Sequence, residues 1–239
     1  MARMFVDSIR VIYQQPETAR DGLVCITEEI PQFMSSLECL VENVCELLAS
    51  EERLIRTNSP AIIIGDLLGN LDTLMSLEQA FWPSVPVLWN NLIFLGNYCG
   101  NAFKYSVEVV CYVLAMKILS PNKVFILRGS NDIRDENKST LLMECVQRYG
   151  EHYGKSIWNC LNEALDRLPV AVVIDESIFA VHSGIPKTKC LLPEMYAIQH
   201  VLQNVEKESP LAYEANIKKK IKNIYNIKKI FLNFFINYF

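Results

Sequence analysis

An α/β fold is predicted by two features of the chain. Short apolar runs without polar alternation end in glycine or a polar cluster, and apolar residues at helical spacing lie around and between them. The chain opens with helices: Phe5, Ile9, Ile12 and Tyr13 recur on one face, as do Leu37, Leu40, Val41, Val44, Leu47 and Leu48. Four strand-like runs follow. They are Ala61–Ile64 before Gly65-Asp66, Leu92–Leu95 before Gly96-Asn97, Val124–Leu127 before Arg128-Gly129-Ser130-Asn131-Asp132, and Ile178–Val181 before His182-Ser183-Gly184. Unalternated runs of this kind suit strands buried on both faces. Val107 to Leu119 is apolar nearly all round and reads as a deeply buried helix. Ile157, Leu161, Ala164, Leu165 and Leu168 mark another helix, stopped by Pro169 before the strand-like Val170 to Ile174. The β-α-β-α-β alternation predicts parallel pairing.

Composition narrows the class. At 239 residues the chain can bury a real core, and 51% hydrophobic with 21% charged residues argues against a disordered, collagen-like or coiled-coil protein. No apolar run reaches the roughly 20 residues of a spanning helix. Asp7 interrupts the N-terminus where a signal peptide needs an apolar stretch. The eight cysteines are scattered without zinc spacing, so free thiols in the cytoplasm or nucleus are expected. Residues 217–239 carry six lysines and no acid, which leaves 17 basic against 27 acidic residues elsewhere. A body that acidic is a poor nucleic-acid binder.

The tail itself uses only Ile, Lys, Asn, Tyr, Phe and Leu, each of which has a codon made of A and T alone. Translation of AT-rich non-coding DNA is the favoured reading, ahead of a basic amphipathic membrane anchor. Membrane contact through the tail is therefore not expected, and the tail is left out of the fold.

In parallel sheets the loops past the strands' carboxyl ends converge on a ligand site. Asp66, Asn97, Asn131, Asp132 and His182 fall there. Such residues are the vocabulary of an oxygen- and nitrogen-ligand metal site. On residue chemistry alone a plainer reading takes precedence, in which Asp66 caps a turn or helix and Asn97 and Asn131 form turns.

A resemblance changes that balance. Gly65-Asp66-Leu67-Leu68-Gly69 resembles the Gly-Asp-x-His-Gly box of the PPP family of metal-dependent serine/threonine protein phosphatases, in the calcineurin-like metallophosphoesterase superfamily. Gly96-Asn97-Tyr98-Cys99-Gly100-Asn101-Ala102 is similar to its Gly-Asp-x-x-Asp-Arg-Gly box, and Leu127-Arg128-Gly129-Ser130-Asn131-Asp132 to Leu-Arg-Gly-Asn-His-Glu. Asp175 to Ile185 resembles Asp-Glu-x-Ile-Phe-x-x-His-Gly-Gly-Leu. Four boxes in order and at the family's spacing, from about Phe5 to Pro186, imply the calcineurin-like fold: a central β-sandwich flanked by helices, here incomplete at the C-terminus. The expected organisation is an N-terminal helical part over 1–60, the phosphatase-like core over 61–190, a divergent segment over 191–216 and the tail over 217–239.

The resemblance also implies roles, residue by residue. Asp66 keeps the first metal-binding position, but the adjoining His ligand is Leu68. Asn97 replaces the Asp that bridges two metals. Gly100 and Asn101 replace an Asp that orients the catalytic His and a phosphate-binding Arg. Ser130 replaces an Asn ligand, Asn131 stands at the catalytic His, Asp132 replaces the following Glu, and His182 keeps its metal-binding position. No counterpart of the family's later His ligand or second Arg is found; His200 reads as an ordinary surface or helix residue and Lys104 as a solvated lysine at a helix start.

Two of six ligands survive. Losing a positioned general acid costs about 10²–10⁴-fold in rate, and without metal a water keeps a pKa near about 15.7. The expectation is a pseudophosphatase that binds protein partners or phosphoproteins. The residues Asp66, Asn97 and His182 would be vestigial metal ligands, Asn131 a non-functional catalytic position, and no residue would bind phosphate. No tightly bound cofactor is expected, with weak Mn or Fe/Zn binding left open. The rival expectations are a weakly active metal-dependent phosphatase and a truncated gene product.

Overall fold

The computed structural model describes residues 1–16, 20, 22–23, 30–84, 87–100, 104–183 and 229–231, the last three by their backbone. Helix α1 (Ala2–Gln14) buries Phe5, Ile9 and Ile12, and α2 (Ile30–Ser50) buries Phe33, Leu37, Leu40, Val41, Val44 and Leu48. Strands β1 (Leu54–Thr57) and β2 (Ala61–Ile64) come next, then α3 (Leu71–Phe81) and β3 (Asn91–Phe94). Helix α4 (Ser106–Leu119) leads to β4 (Val124–Ile126), and α5 (Leu141–Leu165) to β5 (Ala171–Ile174) and β6 (Ile178–Val181). Strand β7 (Lys229–Phe231) is the last element described.

The strands form two sheets. In one, β2, β3 and β4 lie side by side and parallel; in the other the order is β1-β5-β6-β7. The first sheet shows why its apolar runs do not alternate. Leu92, Phe94, Val124 and Ile126 face the helices, whereas Ile93, Leu95, Phe125 and Leu127 meet Ile55, Val172, Ile174 and Ala180 of the second sheet. Every position along β3 is thereby buried on one face or the other. Helix α4 is the centre of the helical layer, packed by α1, α2, α3 and α5, and is buried from Ser106 to Lys117.

The structure corrects the expectation of parallel pairing throughout. Strand β6 runs antiparallel to β5 and belongs to the second sheet. Only Asp175, Glu176 and Ser177 separate the two strands, and Asp175 and Glu176 take φ of 51° and 48°. A connection that short makes a hairpin, since a parallel crossover needs a dozen or more residues. The structure also corrects the exclusion of the tail: β7 pairs parallel to β6, Lys229 opposite Ile178 and Phe231 opposite Ala180. Without it β6 would present an open edge. The other tail residues, and the segment 191–216, lie outside the described residues.

A buried ionic cluster fixes the start of α4 against α5. Arg148 donates to Glu108 at 2.6 and 2.8 Å and to Glu144 at 2.9 Å. Glu144 in turn accepts from the backbone N–H groups of Ser106 and Val107, the first donors of α4. Burial, reinforced by the charge of Glu108, pushes the Glu144 carboxyl up. Arg148→Met should therefore strand two carboxylates in the core, at a cost of about 3–5 kcal/mol in chemical denaturation. A loss below about 1 kcal/mol would mean that the cluster is solvated.

Candidate functional site

Four turns meet at the carboxyl ends of β2, β3, β4 and β6. Two backbone approaches bring them together. Leu67 and Leu68 donate their N–H groups to the Asn97 carbonyl at 3.1 and 2.9 Å, joining the first turn to the second. The third turn touches the second so closely that a Cβ on Gly129 would lie 2.2 Å from the Asn97 nitrogen. Gly96, at φ 113°, faces Gly129 with the same 2.2 Å approach, so neither position admits a side chain.

Asp132 ties the turns from below. Its carboxylate is fully buried and accepts from the backbone N–H of Asn97 at 2.7 Å, Tyr98 at 2.9 Å and Gly129 at 2.8 Å. Burial raises its pKa, and the three N–H donors oppose that rise. Sequence reading treated Asp132 as a replaced Glu and missed this clamp. The signal was its place three residues past the turn's glycine, Gly129, where a carboxylate reaches free backbone donors.

Asp66, Asn97, Ser130 and His182 converge above the clamp. Asn97 Nδ2 donates to Asp66 Oδ2 at 2.9 Å, and Asn97 Oδ1 accepts from the Asn131 backbone N–H at 2.8 Å. Ser130 Oγ stands 3.3 Å from Asn97 Oδ1 and 3.4 Å from His182 Nε2. His182 Nδ1 is 3.7 Å from Asp66 Oδ1, longer than a hydrogen bond, and neither atom has another partner among the described residues. Both are buried, and an unmet buried polar atom costs about 1–3 kcal/mol.

The plainer reading is partly corrected. Asp66 caps no helix: Asn70 caps α3, accepting from Thr73 N at 2.9 Å. Asn97 does form a left-handed turn, at φ 58°, a conformation that Asn tolerates better than most residues. Asn131 contributes its backbone N–H, while its side-chain amide makes only a long 3.4 Å contact to the Cys99 carbonyl.

The replaced positions fill space. A Cβ on Gly100 would meet Leu68 Cβ at 2.7 Å, so the two residues that stand for a ligand and an orienting acid pack on each other. Arg128 is held by Asp166 at 3.2 Å, and Lys104 is exposed beside the Tyr105 ring. Asn101 and His200 lie outside the described residues.

Comparison with known proteins fits this geometry. The profile of calcineurin-like phosphoesterases matches residues 59–232. The chain belongs to that family. It is 28% identical over 181 residues to the serine/threonine-protein phosphatase 6 catalytic subunit of Drosophila melanogaster, covering 75% of this chain and 55% of that protein. It is 30% identical over 141 residues to the PP2A-like phosphatase PPG1 of Saccharomyces cerevisiae, covering 59% and 37%. The chain thus spans about half or less of the length of these relatives. A solved Saccharomyces cerevisiae serine/threonine phosphatase with similarity to human phosphatase PP5 shares the fold, with a TM-score of 0.60 and 21% identity over 69% of this chain and 53% of that one.

Family members are metal-dependent, so the donors of this chain can be tested against a metal pair. The Asn131 backbone N–H can only donate, so the Asn97 atom 2.8 Å away is the amide oxygen. The amide nitrogen must then face Asp66, presenting protons where a bridging ligand presents lone pairs. Among the described residues no three of His, Cys, Asp and Glu gather to hold a metal ion. These residues do not fit a bridged metal pair.

Proposed function

We propose that this serine/threonine phosphatase-like protein is a pseudophosphatase, acting by binding protein partners rather than by hydrolysing phosphate esters. One observation carries the reading: the Asn97 amide donates to Asp66 and its oxygen is engaged by Asn131, so a neutral hydrogen bond takes the place of a metal-bridging carboxylate. The rest of the chemistry is consistent with it. Asn131 cannot protonate a leaving alcohol, and Leu68 and Gly100 offer no ligand. The retained scaffold, with its two sheets and the Asp132 clamp, would present a folded surface to a partner. We place the protein in the cytoplasm or nucleus, because the six cysteines among the described residues are free thiols. No described helix is long and apolar enough to cross a membrane.

The test is hydrolysis of an aryl phosphate and of a phosphoserine peptide by the full chain with millimolar Mn²⁺. Release of phosphate at the level of a protein-free control is expected. Mn²⁺-dependent turnover abolished by Asp66→Ala would establish the rival reading, a weakly active phosphatase.

A further inference from the structure

The geometry points to a metal-independent nucleophile at this site: we infer that Ser130, His182 and Asp66 form a serine hydrolase relay that acts on uncharged carboxylic esters. The inference rests on the reading that His182 carries no metal. Asp66 is held by Asn97 at one carboxylate oxygen and turns the other toward His182 Nδ1. A carboxylate only accepts, so closing the 3.7 Å gap to Asp66 Oδ1 places the imidazole proton on Nδ1 and leaves Nε2 as the acceptor. Nε2 is the atom that meets Ser130 Oγ, at 3.4 Å; the hydroxyl also donates to Asn97 Oδ1 at 3.3 Å, a contact it exchanges for Nε2 when it gives up its proton. Nucleophile, base and orienting carboxylate thus stand in the sequence that activates a serine, and such contacts are looser without substrate. The 3.7 Å gap joins two buried atoms that have no other partner among the described residues, so closing it satisfies both.

The same substitutions that undo the metal site supply these parts. Ser130 replaces a ligand with a hydroxyl, and Asn97 turns its amide oxygen to that hydroxyl and its nitrogen to Asp66. The charge choice follows: the relay contains one carboxylate and no cation, which disfavours a phosphate dianion and suits a neutral ester. In acylation the Ser130 Oγ–carbon bond forms as the hydroxyl proton passes to His182 Nε2. The ester C–O bond then breaks, and the leaving alkoxide takes that proton. Water next attacks the acyl group, gives its proton to His182, and releases the acid; His182 returns the proton to Ser130.

The experiment uses the full chain in chelator with a fluorophosphonate probe. There Ser130 Oγ displaces fluoride from phosphorus, and the hydroxyl proton goes to His182. Peptide mapping should find the label on Ser130, with none in Ser130→Ala and a labelling rate at least 100-fold lower in His182→Gln. With a p-nitrophenyl ester, Asp66→Asn should lower kcat at least 10-fold with KM unchanged, as expected of a positioning residue. Circular dichroism would show that the variants are folded. Label on Ser130 no faster than on other serines, or a rate unchanged in folded His182→Gln, would overturn the relay. A parallel arm with Mn²⁺ judges the metal-free reading separately, since metal on His182 would suppress labelling that the chelator restores.

Discussion

Asn97→Asp should destabilise the protein by about 2–4 kcal/mol in chelator and make its melting temperature respond to Mn²⁺. The amide now donates to Asp66 Oδ2 at 2.9 Å, between side chains that are largely shielded from water. A carboxylate at position 97 loses that hydrogen bond, about 1 kcal/mol net, and sets two like charges at contact in a poorly solvated site. Mn²⁺ between the carboxylates would relieve the repulsion. A ligand at 100 times its Kd stabilises by about 2.7 kcal/mol, or roughly 5–10 °C in a domain of this size. An Asn97→Asp protein as stable as the parent in chelator would mean that Asn97 does not hold Asp66 in this way.

Asp132→Ala should cost about 3 kcal/mol or more in urea denaturation, a large share of the total stability of an ordinary domain. Three backbone N–H groups, from Asn97, Tyr98 and Gly129, lose their shared acceptor inside the protein. Each would be unsatisfied at about 1–3 kcal/mol, offset in part because a buried carboxylate is itself costly. Asp132→Asn keeps the volume but turns an N–H donor toward one backbone donor, so an intermediate loss is expected. A loss under about 1 kcal/mol in Asp132→Ala would show that the turns are held by their glycine contacts alone.

These two residues mark how far the sequence could be read. The β3 and β4 runs were legible because burial on both faces leaves no polar alternation, and the site because four turns end those strands. Strand β1 was not legible: Leu54-Ile55-Arg56-Thr57 carries a charge in four residues, and its pairing with β5, 117 residues away, leaves no local trace. Helix α3 escaped because its start signal, Asn70 as cap, lay inside a stretch read for another purpose. The β5–β6 hairpin was legible in principle from its three-residue gap, but Asp175-Glu176 lacks the Asn-Gly signature of a primed turn. At the site, residue types and order were readable, but hydrogen-bond direction was not. The approach of the Asn131 N–H to Asn97 fixes which way that amide points, and so which chemistry Asp66 and His182 meet.

The most direct measurement is thermal unfolding of the full chain, stripped with chelator and then titrated with Mn²⁺ to millimolar excess. A cooperative transition whose midpoint stays within about 1 °C is the expected result, since a ligand that does not bind the native state cannot move it. A rise of several degrees that disappears in His182→Ala would contradict the account, because it would require a working metal site around Asp66 and His182.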